Sequence, residues 1–327
     1  MFHEFLILHL ASFVIPATIL AIFALGLNLQ FGNTGVFNAG LAGFVAVGAY
    51  TFGMLTTGLV PRSDTYPGHW GPGTPMDLVL AAGAAMVLSG LLGVLVAIPT
   101  LRLRADYLAI ATIAFAELVR LFLKEERHFT GGDQSLPLIP RPFAGIVPTG
   151  LGWASDGIFI LVVGSIALGT LLVMTRLSRL PWGRALRAVR EDEEAAMALG
   201  KNAFRLKLTA FGIGCAIMGL GGALVASFQR VVLPEQFATL LTFNVYVAVI
   251  LGGSGNSRGV VLGAYLFWLF TWTTQNLKAY IPSDFALRID FVNLLAIGLL
   301  LILFILFRPE GIVPEEKYVP RAEGSPR

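Results

Sequence analysis

Long apolar runs alternate with short polar breaks along this chain. A helix that crosses a bilayer needs about 20 apolar residues. Runs of that order occupy 5–27, 35–59, 76–99, 106–123, 157–175, 207–229, 236–252, 259–273 and 290–307. The pattern predicts an all-α integral membrane protein, a polytopic helical bundle of about nine transmembrane segments. The seventh and eighth runs are short and are separated by the Gly-rich stretch 252–259. They read either as two short spanning helices or as half-helices around a re-entrant turn buried in protein.

Composition agrees with this reading. The chain is 56% hydrophobic and 13% charged, against about 45–50% and 25% in a soluble domain. So much apolar surface cannot be hidden in one core and requires lipid as solvent. The net charge of +3 follows from basic residues gathering in cytoplasmic loops, and no nucleic-acid binding is expected. Counted on the nine-segment map, Lys and Arg are concentrated on the side that holds 100–105, 176–207 and the C-terminus. The protein is therefore expected in a cytoplasmic membrane, with the N-terminus outside and the C-terminus cytoplasmic. Cys215 lies in an apolar stretch, and the four histidines have no metal-ligand spacing. Residues 60–75 and 124–156 are rich in Pro and Gly and read as ordered irregular loops. Residues 1–312 form the transmembrane domain and 313–327 an extended cytoplasmic tail.

The polar loop 176–207 carries the most information. Pro181 can open a helix. Ala185, Leu186, Val189, Ala196 and Leu199 recur at helical spacing, with Arg184, Arg187 and Arg190 on a basic side. Gly200 suits a helix stop. The acidic run Glu191, Asp192, Glu193 and Glu194 would be repelled by anionic lipid, which favours a protein partner over a membrane surface.

Glu194-Ala195-Ala196 followed by Gly200 resembles the EAA coupling loop of ABC importer permeases. Further stretches resemble the LivM-type branch of branched-chain amino acid permeases: 101–110, Glu117-Leu118-Val119-Arg120, Thr130-Gly131-Gly132, Gly183–Ala188 with Arg190-Glu191-Asp192, Gly252-Gly253 with Arg258-Gly259, and Phe307–Gly311. In order, they cover most of the chain from about 26 to 313. The stretch 32–38 departs from relatives that carry a Ser-containing turn there.

The resemblance implies a subunit that pairs with a second, related permease. Two cytoplasmic ATP-binding subunits would drive it, and an extracytoplasmic solute-binding protein would deliver an amino acid. Gly183, Arg184, Arg187, Arg190, Glu191, Asp192, Glu194, Ala195, Ala196 and Gly200 would form the ATPase-coupling loop. Urea-importer permeases share much of the pattern, so a urea or short-amide substrate stands as the alternative.

Glu117 and Arg120 share a helical face and read as an ion pair near the outer interface or as part of a gate. Asn33, Asn38, Gly252 and Gly253 are the other candidates for a translocation path. The clustered glycines 40, 43, 48 and 53, and 212, 214, 219, 221 and 222, suit close helix packing or a path lined by bare backbone. The sequence has no GxxxxGK[ST] loop, so ATP-Mg would belong to partner subunits and no cofactor to this chain. It also lacks a Ser/His/Asp constellation, and no enzyme activity is expected. A stand-alone secondary transporter or channel is the remaining alternative, with only Glu117 and Arg120 available for ion coupling.

Overall fold

A computed structural model describes residues 2–57, 75–132, 135–137, 139–141, 152–277, 283–308 and 310–315. Residues 60–74 of the predicted loop 60–75 and residues 142–151 of the predicted loop 124–156 lie outside the described residues, as does the tail from 316.

The described chain is helical: α1 (Phe2–Thr34), α2 (Leu41–Thr57), α3 (Pro75–Thr100), α4 (Ala105–Glu125), α5 (Arg127–Thr130), α6 (Gly152–Arg179), α7 (Pro181–Glu191), α8 (Glu193–Ala198), α9 (Ala203–Gln229), α10 (Thr239–Gly252), α11 (Ser257–Leu277) and α12 (Ser283–Phe307). Each of the nine apolar runs falls on one of these helices. Four are long and apolar enough to cross a membrane individually, namely His9–Thr34, Leu78–Thr100, Ala154–Arg179 and Ala203–Gln229. Leu41–Thr57 and Thr239–Gly252 are shorter apolar helices.

Helix α9 is the axis of the bundle and packs along α1, α2 and α3. Its glycines let the neighbouring backbones approach. A β-carbon on Gly222 would overlap the Val45 carbonyl of α2, and one on Gly48 would overlap Gly219. Gln30 of α1 lies over Gly214. These contacts match the packing reading of the glycine clusters.

The run 35–59 differs from expectation, because its helix starts only at Leu41 while α1 continues to Thr34. The polar stretch 28–34 looks like the end of a membrane segment, yet Asn28, Gln30, Asn33 and Thr34 are all buried. They support the non-helical link 35–40. Irregular backbone inside a membrane domain is tolerated only where its polar groups find partners. Here the Ala39 amide donates to Thr112 Oγ1 of α4 (3.1 Å), the Gly40 amide to Asn38 Oδ1 (3.0 Å), and the Ala42 amide to Thr242 Oγ1 of α10 (3.1 Å). Asn38 Nδ2 donates to Gln30 Oε1 (2.8 Å), and the Tyr246 hydroxyl donates to the Asn38 carbonyl (3.1 Å). Thr112 of α4, Asn38 and Thr242 of α10 thus satisfy backbone amides of the link and of the start of α2, and Gln30 of α1 holds the Asn38 side chain.

α10 and α11 are two distinct helices joined by the turn 253–256 and packed on each other. At 14 residues, α10 is only about 21 Å long, and the 3-10 turn Pro234–Phe237 precedes it. Gly263 meets Ala248 and Gly252 across the pair with no room for a β-carbon.

The chain after α12 does not run free as an extended tail over its described part. The Ile312 amide donates to the Leu251 carbonyl (3.0 Å) and the Val313 amide to the Gly252 carbonyl (3.1 Å). Asn256 Nδ2 donates to the Pro314 carbonyl (3.0 Å). The last carbonyls of α10 would otherwise lack partners, so residues 310–315 fold onto the hairpin as its cap. Val313, Pro314 and Glu315 pack with the helical unit from which the sequence reading had separated them.

Candidate functional site

The loop 176–207 folds as two short helices linked at Asp192. Pro181 opens α7, and Gly183, Leu186 and Val189 form its buried side. Gly183 sits so close to the end of α6 that a β-carbon would lie 2.5 Å from the Leu177 and Ser178 carbonyl oxygens. Asp192 then caps α8, its Oδ1 accepting from the Ala195 amide at 2.9 Å. Glu193 and Glu194 occupy the first turn of α8, where the helix dipole favours acids. Gly200 stops the helix as expected. Its φ is +76°, and bonds from Gly200 N to Met197 O (2.9 Å) and from Lys201 N to Ala196 O (3.1 Å) close a Schellman turn.

Burial divides the candidate residues. Ala196 is 3% exposed and packs against Val189 and Ala203. Its small size serves contacts within the chain, and of the Ala pair only Ala195 faces outward. Met197 and Leu199 are 50% and 81% exposed. Beside Glu193 and Glu194 they present an apolar tip with an acidic border.

The arginines divide as well. Arg184 is exposed. Arg187 Nη2 donates to the Ser178 carbonyl at 2.9 Å, and its Nη1 lies 3.6 Å from Glu315. Arg190 is the junction of the region. It bonds the Gly32 carbonyl at the end of α1, Glu191 at 2.8 Å and Glu315 at 2.8 Å. Burial acts against the Arg190 charge, but the bonds to Glu191 and Glu315 outweigh it and hold the pKa above the ordinary arginine value. Through Glu315, α7 is joined to the 310–315 cap and so to α10 and α11. The Gly255 amide completes the ring by donating to Asn28 Oδ1 of α1 at 2.8 Å. Sequence reasoning does not single out Glu315, which lies in a polar stretch beyond the last apolar run.

The six path candidates are not brought together. Gly252 and Gly253 are buried at the α10–α11 crossing against residues 311–313. Asn38 is fully buried and engaged on both side-chain atoms. Asn33 is 4% exposed, and its Oδ1 has no partner among the described residues. At the opposite end of the bundle Glu117 and Arg120 do pair, at 2.6 Å, and Arg120 also reaches Glu235 at 2.9 Å. Lys124 bonds Glu235 at 3.1 Å. The four residues alternate in charge and tie α4 to the 3-10 turn before α10.

Comparison with known proteins completes the picture. The model of the family described as "Branched-chain amino acid transport system / permease component" matches residues 9–307. The chain is 34% identical to the high-affinity branched-chain amino acid transport system permease protein LivM of Salmonella typhimurium, over 90% of this chain and 67% of that protein. It is 29% identical to a probable LivM of Methanocaldococcus jannaschii, over 91% of each. The LivH permease of Salmonella typhimurium is 25% identical over 89% of this chain and 92% of its own length. No solved structure matches the chain. With a family model spanning nearly its whole length, the chain belongs to the branched-chain amino acid transport system permease family.

Proposed function

We propose that the chain is the membrane-spanning subunit of an ATP-driven importer for branched-chain or related amino acids, and that α7 and α8 receive the stroke of a separate ATPase. The observation that carries this reading is the arrangement around Arg190. One side of the α7–α8 unit exposes Ala195, Met197 and Leu199. The other is bonded through Arg190 to α1 and, through Glu315, to the cap of the α10–α11 hairpin. A push on the exposed side would reach the ends of three bundle helices together, as a helix shift requires.

The LivM and LivH relatives support pairing with a second, related permease. The sequence lacks a GxxxxGK[ST] loop, which supports ATP-Mg being held by partner ATPases, and an extracytoplasmic binding protein would supply the solute. The Lys/Arg distribution supports a cytoplasmic membrane location, with the α7 face and the C-terminus cytoplasmic and the N-terminus outside. A second substrate reading has one observation in its favour. The nucleoside ABC transporter permease protein NupC of Lactococcus lactis is 26% identical over 86% of each chain. Uptake of labelled leucine and of labelled uridine into proteoliposomes, with and without the ATPases, tests both. ATP-dependent leucine uptake supports the proposal. Uptake without any ATPase contradicts it.

A further inference from the structure

Beside α7 lies a cavity of about 280 Å³ whose lining includes Arg179, Arg184, Arg187, Arg258 and Glu315. Four arginines and one carboxylate are among the described lining residues, and Arg179, Arg184 and Arg258 are exposed. Arg187 is committed to Ser178 and Glu315. The guanidinium groups of Arg179, Arg184 and Arg258 make no hydrogen bond or ion pair among the described residues.

Arg179 closes the last turn of α6, where the helix dipole favours a cation. Arg258 has no such reason for its place. It is the second residue of the 21-residue α11, at the positive end of that helix, where the dipole favours an anion. Arg258 stands there exposed and without an ion-pair partner among the described residues, beside three more arginines, and the cluster can attract an anion. Ser257 adds a hydroxyl group to the lining, whereas the Ser178 hydroxyl donates to the Met174 carbonyl (2.7 Å). Guanidinium forks match phosphate oxygens in pairs, and basic pockets between helices on the cytoplasmic side take phospholipid headgroups.

We propose that this cavity binds a phosphate group, held by Arg179, Arg184 and Arg258, and that its source is the headgroup of an anionic phospholipid. The apolar side of α6 favours the lipid over free phosphate. Leu168, Leu172 and Val173 are 57%, 55% and 56% exposed and lead away from the cavity along the same helix, where an acyl chain can lie.

The test uses the full chain purified with its partner subunits in phosphatidylcholine nanodiscs. Phosphatidylglycerol is titrated in and its retention is measured by native mass spectrometry, with inorganic phosphate as a parallel arm. Arg179→Gln and Arg258→Gln should each weaken phosphatidylglycerol binding roughly fivefold. Arg258→Lys keeps the charge, loses the fork, and should recover only part of the affinity. Arg176→Gln removes the same charge from an exposed position of α6 outside the cavity and should leave binding unchanged. Protection from unfolding by inorganic phosphate alone, lost in Arg258→Gln, would keep the phosphate site and move its source to the soluble pool. Equal phosphatidylglycerol affinity in wild type and both cavity variants, or an equal loss in Arg176→Gln, would overturn the proposal.

Discussion

The Arg190 guanidinium and the Glu315 carboxylate lie 2.8 Å apart and join positions 125 residues distant in the sequence. Both side chains are about one quarter exposed or less, so the bond is shielded more than a surface ion pair. With the Arg187–Glu315 contact at 3.6 Å, it joins α7 to the cap of the α10–α11 hairpin.

Removing that link should separate two properties. Glu315→Gln leaves Arg190 its bonds to Glu191 and Gly32, and the fold should lose about 1–3 kcal/mol. Solute transport should fall more than ATP hydrolysis, because α7 can then move without the hairpin. The ratio of solute imported to ATP hydrolysed in proteoliposomes is the measurement. An unchanged ratio would leave the bond with a purely structural role.

Gly200 offers a backbone test. At φ +76° a β-branched residue costs about 1–3 kcal/mol, while asparagine tolerates this region. Nothing lies within 4 Å of where a β-carbon would sit, so strain alone is at stake. Gly200→Val should disorder the end of α8 and abolish transport, and Gly200→Asn should retain most of it. Uptake assays on membranes with matched protein levels distinguish the two.

The buried link 35–40 predicts a large effect far from the coupling region. Gln30→Ala removes the acceptor of Asn38 Nδ2 and a second donor to the Phe211 carbonyl, which keeps its bond within α9. Leaving the buried Asn38 amide unmatched costs about 1–3 kcal/mol. The variant should show a markedly lower midpoint of thermal unfolding in detergent, whereas Gln30→Glu, which adds a buried charge, should fail to accumulate.

The far end of the bundle predicts a pH response. Hydrogen bonding from Lys124 first, with the charge of Arg120 second, holds the Glu235 carboxyl below its usual pKa. A depressed carboxylate stabilises the fold above its unfolded pKa and loses that contribution as pH falls through the folded value. The wild-type unfolding midpoint should decline on acidification into the carboxylate range. Glu235→Gln should start from a modestly lower midpoint at neutral pH and decline less over that window, so that the two proteins converge on acidification.

The sequence and the structure agree where the signal is long or local. Nine apolar runs marked nine helices, Pro181 and Gly200 marked the ends of the loop helices, and Glu117–Arg120 paired at its three-residue spacing. The misses have one physical cause. Asn28, Gln30 and Asn38 are buried against partners from distant elements, namely Gly255, Phe211 and Tyr246. Hydrophobic periodicity carries no record of such matching. The resemblance of Glu194-Ala195-Ala196 to the EAA loop places Ala196 at a partner surface. Its burial against Val189 and Ala203 emerges only once α7, α8 and α9 are folded together.

The central claim is that the exposed tip of α8 meets an ATPase, and Leu199 tests it most directly. At 81% exposed, Leu199 can be changed to aspartate with little cost to the fold of this chain. The measurement is co-purification of the ATPase subunits with Leu199→Asp, alongside ATP-driven leucine uptake and the thermal midpoint of the permease. The account predicts a normal midpoint with loss of both the ATPase and uptake. Full retention of the ATPase with normal uptake would contradict it.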